Sequence, residues 1–206
     1  MKLKKFPLNE ITRWDIIRRS QRESPERFIK SRNYKAKDFN GVDFEELFNT
    51  DTFTWKSRVG DYIVTISFEG PFANLYTKVG SWSGTNRWKR IDLKLLTQCL
   101  SKALDEEDLY VDCTCPDQVY RFNYWLSQEG GKYGVQQNRP PKVRNVKNNK
   151  GYVCKHLLSV LYGKRFVPGA AKAWLQFIKA NPELAEELIW GWILDGNPNQ
   201  KWFNHI

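Results

Sequence analysis

YVDCTCPDQVYRFNYW, residues 110–125, sets Cys113 and Cys115 one residue apart in a chain of 206 residues that holds only four cysteines. A disulfide across a single intervening residue is strained well away from the usual Cα separation, so the pair reads as half of another arrangement. The other half lies downstream in GYVCKHLLSVLYG, residues 151–163, where Cys154 and His156 repeat the same spacing. The chain therefore reads CxC, then 38 residues, then CxH. Three thiolates and one imidazole make a closed tetrahedral donor set suited to one structural Zn²⁺, whose filled d shell accepts mixed sulfur and nitrogen ligands.

The remaining cysteine reads differently. In DLKLLTQCLSKAL, residues 92–104, Leu96, Cys99, Leu100 and Ala103 recur at helical spacing, so Cys99 is expected to pack in the core as a small apolar residue.

CxCPD followed by a helix and later by CKHLLxVL resembles the SWIM-type zinc finger, found in transposases of the mutator class, plant regulators and bacterial helicase-associated proteins. The resemblance covers Asp112 to Leu161 and implies that Cys113, Cys115, Cys154 and His156 are the metal ligands. The stretch between the pairs is longer than in compact members of that family. In this extended form the chain resembles proteins of large tailed phages.

The formal net charge of +10 is unevenly placed. Residues 1–35 carry +7 and residues 130–151 carry +6, so the other 149 residues sum to −3. A near-neutral body with two basic segments points to an acidic partner, either nucleic acid or an acidic protein surface. Lys132, Arg139, Lys142, Arg144, Lys147 and Lys150, with Arg87, Lys89 and Arg90 of a second loop, are the candidate contacts. Trp82 and Trp88 in that second loop offer stacking faces.

The organisation follows from changes of period. Residues 1–50 read as a basic helical arm, with Ser24 and Pro25 opening its second helix. Its stripe of Ile11, Trp14, Ile16 and Ile17 is short, so the arm needs a surface to dock on. Residues 51–166 read as an α+β zinc-binding domain. Phe53, Trp55 and Val59 alternate with polar residues, Gly60 and Asp61 turn a hairpin, and Tyr62, Val64, Ile66 and Phe68 line the next strand. FANLYTKV, residues 72–79, reads as a third strand, completing a small antiparallel β-meander. The Cys₃His strand-helix module follows, with a long basic loop at 130–151. Residues 167–206 read as a C-terminal helical pair and a tail, the second helix opened by Asn181 and Pro182. The expected fold class is thus α+β, with flanking N- and C-terminal helices.

No GxxxxGK[ST], no GxGxxG after a strand and no HExxH is present, and the run Asp105, Glu106, Glu107 and Asp108 reads as a solvated helix end. No enzyme, catalytic residue or small-molecule substrate is expected. The absence of a long apolar run and of a secretory leader predicts a protein that is neither transmembrane nor secreted, located in a virion or host cytoplasm. The reading that joins these features is a zinc-stabilised virion component docking on other virion proteins in a multi-subunit assembly. The alternative is a SWIM-type DNA-binding module.

Overall fold

The computed structural model describes residues 11–42, 44–79, 91–140 and 153–183. Four strands form one antiparallel sheet in the order β1-β2-β3-β4: β1 Ala36–Val42, β2 Thr52–Val59, β3 Tyr62–Glu69 and β4 Leu109–Cys113. The helices in chain order are α1 Arg13–Glu23, α2 Pro25–Ser31, α3 Phe44–Thr50, α4 Pro71–Val79, α5 Leu93–Glu106, α6 Asn123–Gln128, α7 Lys155–Leu161 and α8 Phe166–Ala180. The architecture is α+β, as the alternating periods require. No helix among the described residues is long and apolar enough to cross a membrane.

The hairpin of β2 and β3 closes where the sequence places it. Val59 pairs with Tyr62 across Gly60 and Asp61, and Gly60 takes φ 62°, which a two-residue loop with glycine first demands. One face of the sheet is apolar: Phe53, Trp55 and Val59 of β2, Val64, Ile66 and Phe68 of β3, and Leu109, Val111 and Cys113 of β4 are all buried. Trp174 of α8 meets Phe53 and Phe72, with ring centroids 6.4 and 5.2 Å away, and Phe166 meets Trp55 edge-on at 5.6 Å. Burying each large side chain here contributes about 1.5–3 kcal/mol. Cys99 lies on the buried face of α5 with Leu96, Leu100, Ala103 and Leu104, in the packing role its spacing predicts. Asp92 caps that helix by accepting from Leu95 N–H at 2.7 Å.

Residues 72–79 depart from expectation. They form α4, not a third strand of a meander, and the strand that pairs with the far side of β3 is β4. Pro71 occupies the first helical position, where its fixed φ suits a helix and its missing N–H costs nothing. The cap comes from Asp51, whose side-chain oxygens accept from Phe72 N–H at 2.7 Å and from Ala73 N–H at 3.2 Å. A cap supplied from twenty-one positions away leaves no local signature in residues 72–79.

The N-terminal helices dock on the same chain. A capping box starts α1: Asp15 N–H donates to Thr12 Oγ1 at 3.3 Å, and Thr12 N–H to Asp15 Oδ2 at 3.1 Å. Ile16, Ile17 and Phe28 are buried, and Arg13 pairs with Asp105 at 2.6 Å. Residues 36–50, grouped with the arm in the sequence reading, supply β1 and α3 to the body. α8 begins at Phe166, just upstream of the expected start, and Asn181 closes it, its N–H donating to Phe177 O at 3.0 Å. Pro182 and Glu183 are helical, and the rest of the second helix expected from Pro182, with the tail, lies outside the described residues.

Candidate metal centre

β4 delivers the first ligand. Its register against β3 pairs Cys113 with Val64, so the period of two turns the thiol toward the buried side. The next residue locks the turn: Thr114 N–H donates to Ile63 O, and Thr114 Oγ1 accepts from Ile63 N–H, both at 3.0 Å. Cys115 follows and starts a helical path, its Sγ accepting from Gln118 N–H at 3.3 Å. The second pair is built the same way. Cys154 is the N-cap of α7, its Sγ accepting from Leu157 N–H at 3.5 Å, and His156 lies in the first turn. Two cysteines thus sit where backbone N–H groups and the helix dipole favour a thiolate.

The ligand atoms of Cys113, Cys115, Cys154 and His156 all lie within 4.8 Å of one another, and all four residues are buried. Cys154 Sγ and His156 Nδ1 are 4.0 Å apart. In a tetrahedral site with metal–sulfur bonds of about 2.3 Å, neighbouring sulfurs stand about 3.8 Å apart. The four atoms therefore fit around one metal ion, and their number fills a tetrahedral shell. No disulfide joins the cysteines.

The three sulfurs shift one another's proton affinity in opposite directions. Hydrogen bonds from Cys113 and Cys154, which outweigh burial, hold the Cys115 thiol below its ordinary range. Donating to Cys115 pushes Cys113 up to about 12. Burial, reinforced by the other two sulfurs, raises Cys154 well above its usual value. Three thiolates gathered at one buried point would repel one another, a cost that a cation bound among them would offset.

The imidazole is oriented by aromatic rings. Tyr34 meets His156 edge-on and Tyr62 lies tilted against it, each with centroids 4.8 Å away. Lys155 Nζ sits 4.8 Å from the centre of the Tyr34 ring, and Arg27 bridges α2 to the first ligand turn, pairing with Asp117 at 3.4 Å while stacking over Phe122 at 4.6 Å. Neither tyrosine carried a metal-site signal in the sequence. Their proximity depends on β3 register and on the docking of the N-terminal segment.

The basic residues divide. Lys132 does not join a solvent-facing cationic strip: it is 7 % exposed and its Nζ pairs with Asp112 at 3.1 Å. Hydrogen bonds from Val111 N–H to Gly131 O at 2.9 Å and from Tyr133 N–H to Val111 O at 3.1 Å lay residues 131–133 beside β4, which draws the lysine inward. Arg139 is exposed. Lys142, Arg144, Lys147 and Lys150, and Arg87, Lys89 and Arg90 with Trp82 and Trp88, lie outside the described residues.

Among the described residues the fold and site define an α+β protein with a buried Cys₃His cluster able to hold one metal ion. Comparison with known proteins finds no matching family model, no similar curated protein and no similar solved structure.

Proposed function

We propose that the chain is a non-enzymatic, zinc-stapled assembly component of a virus particle of the tailed-phage kind, docking on neighbouring subunits. The observation that carries the staple is the convergence of two short ligand pairs, 38 residues apart in sequence, on one buried point. Zinc suits a donor set of three sulfurs and one ring nitrogen. It supplies no reaction here, because four protein ligands leave no position for water or substrate. Structural zinc of this type contributes about 10–16 kcal/mol in small peptides, comparable with a whole domain's stability of about 5–15 kcal/mol. The ion would hold the turn after β4 against the start of α7 and close the long insert between them.

The assembly part of the reading is supported by the resemblance of the extended CxC…CxH form to proteins of large tailed phages. It is also supported by large apolar side chains left in water: Trp14, Ile29, Tyr120, Trp125 and Tyr162 are exposed in the single chain, and contact with neighbouring subunits would cover them. Quantitative mass spectrometry of salt-washed particles tests it. Retention at a fixed copy number per particle is the expected result, and absence from washed particles contradicts it.

A second reading, a SWIM-type nucleic-acid-binding module, is favoured by exposed Arg139 at the entrance to a stretch rich in lysine and arginine. It predicts DNA binding that weakens steeply with salt, with a slope that flattens in Arg139→Glu.

A further inference from the structure

Gln118 is fully buried and touches both halves of the ligand set. Its backbone N–H donates to Cys115 Sγ at 3.3 Å. Its side-chain Oε1 accepts from the backbone N–H of Cys154 at 2.9 Å, across thirty-six positions of sequence. Its Nε2 donates to Asn123 Oδ1 at 3.0 Å, and Asn123 is buried as well. A buried amide carries two donors and two acceptor sites, and here each end has a partner.

The local backbone explains why Asn123 is within reach. Residues Gln118–Phe122 form a π-helical turn, closed by the N–H of Asn123 donating to Gln118 O. A π turn adds one residue to the helical ring and brings positions five apart over each other. Continued as α, the path would place residue 122 there instead, and Phe122 has no polar group to receive Nε2. The extra residue thus turns an amide toward an amide where both side chains are buried.

We propose that Gln118 is the positioning residue of the metal centre: its side chain fixes the start of α7 against the first ligand turn, so that Cys154 stands at ligand distance before the ion arrives. The inference rests on the metal-staple reading and adds to it the residue that sets affinity. Outer groups that hold ligands in place typically change metal affinity by about 10- to 100-fold when removed. Gln118 differs from an ordinary partner of that kind because its main-chain N–H holds the sulfur of one ligand while its side chain holds the peptide of another, so removing the side chain alone loosens the closure between the pairs.

The test uses the full chain, stripped of metal and titrated with cobalt(II), whose visible spectrum reports tetrahedral thiolate ligation, and with zinc in competition with a chromophoric chelator. Wild-type protein is expected to bind one ion. Gln118→Leu, similar in size and without polar atoms, is expected to bind one ion with affinity lower by about 10- to 100-fold and with an altered cobalt spectrum. Gln118→Glu restores an acceptor to Cys154 N–H and can take a hydrogen bond from Asn123 once that amide turns round, so most of the affinity should return. If Gln118→Leu does not fold, Asn123→Ala removes only the outer hydrogen bond and should weaken binding in the same direction by a smaller factor. Wild-type and variant chains binding cobalt equally tightly with the same spectrum overturns the role of Gln118 and leaves the metal centre standing. A wild-type chain that gives no tetrahedral cobalt spectrum overturns both.

Discussion

The ring of Tyr34 stands edge-on to the ring of His156, their centroids 4.8 Å apart, and so joins the segment after α2 to the last ligand of the metal centre. Phe28 of α2 meets Tyr162, the residue that closes α7, in the same edge-on manner at 4.9 Å. Together with the Arg27–Asp117 pair, these contacts fasten α2 and the segment after it to both ends of α7 and to the first ligand turn. Chelating the metal should therefore lower hydrogen-exchange protection across residues 25–34. The β2–β3 hairpin, packed under Trp174, should keep its protection. Equal loss in both regions would indicate global unfolding, and no loss in residues 25–34 would show that the arm docks independently of the metal.

Linkage requires the coupling to run both ways. Tyr34→Ala should weaken metal binding relative to wild type, measured by chelator competition, while leaving one site per chain. An unchanged affinity would leave the ring contact energetically idle.

Asp51 gives the fold a pH dependence of its own. Its carboxyl is pushed up to about 8, chiefly by burial, with Glu107 and Glu69 adding to the rise against the opposing hydrogen bonds from Phe72 and Ala73. In the unfolded chain it titrates near 3.8. The folded state thus holds a proton that the unfolded state releases, so this contribution is complete below pH of about 4 and is lost as pH climbs toward about 8. Asn tolerates the positive φ of 52° found at this position and can still accept from Phe72 N–H. Asp51→Asn should therefore gain stability relative to wild type between pH 5 and 8, read as the difference in denaturant midpoint at the two ends. A difference that does not change with pH would contradict a proton on Asp51.

Core and surface aromatics should separate cleanly. Trp174→Ala removes a fully buried indole between Phe53 and Phe72 and should cost about 3–5 kcal/mol. Tyr120, 62 % exposed, should change stability by no more than about 0.5 kcal/mol when truncated. Urea denaturation of both variants checks the contrast.

How far the sequence revealed this arrangement depended on whether each signal was local. Asp92 announces α5 because its cap and its apolar stripe are contiguous, and the hairpin is legible because Gly60 stands between two alternating runs. The ligand set was legible for the same reason, since each pair is a three-residue pattern. Residues 72–79 carry no local sign of a helix because the group that caps α4, Asp51, arrives from another part of the chain. Tyr34 and Tyr62 are neighbours of His156 only through tertiary docking, and Gln118 reaches Asn123 only through the π turn. Lys132 was counted with a basic run because charge is visible in sequence, whereas its pairing with Asp112 depends on residues 131–133 lying along β4.

Lys132→Met tests that last point. Removing the ammonium leaves Asp112 without its partner and should cost about 1–3 kcal/mol, seen as a lower denaturant midpoint. If polyanion binding is present, its salt dependence should be unchanged by Lys132→Met and reduced by Arg139→Glu. The opposite pattern would place Lys132 among the contacts.

The central claim is that one zinc ion draws the turn after β4 and the start of α7 together, and elemental analysis of the purified full chain measures it most directly. The account predicts one zinc per chain, lost together with residue 109–163 protection in Cys113→Ser and Cys154→Ser. A chain that folds fully with no bound zinc, and whose cysteine variants are as stable as wild type, would contradict it.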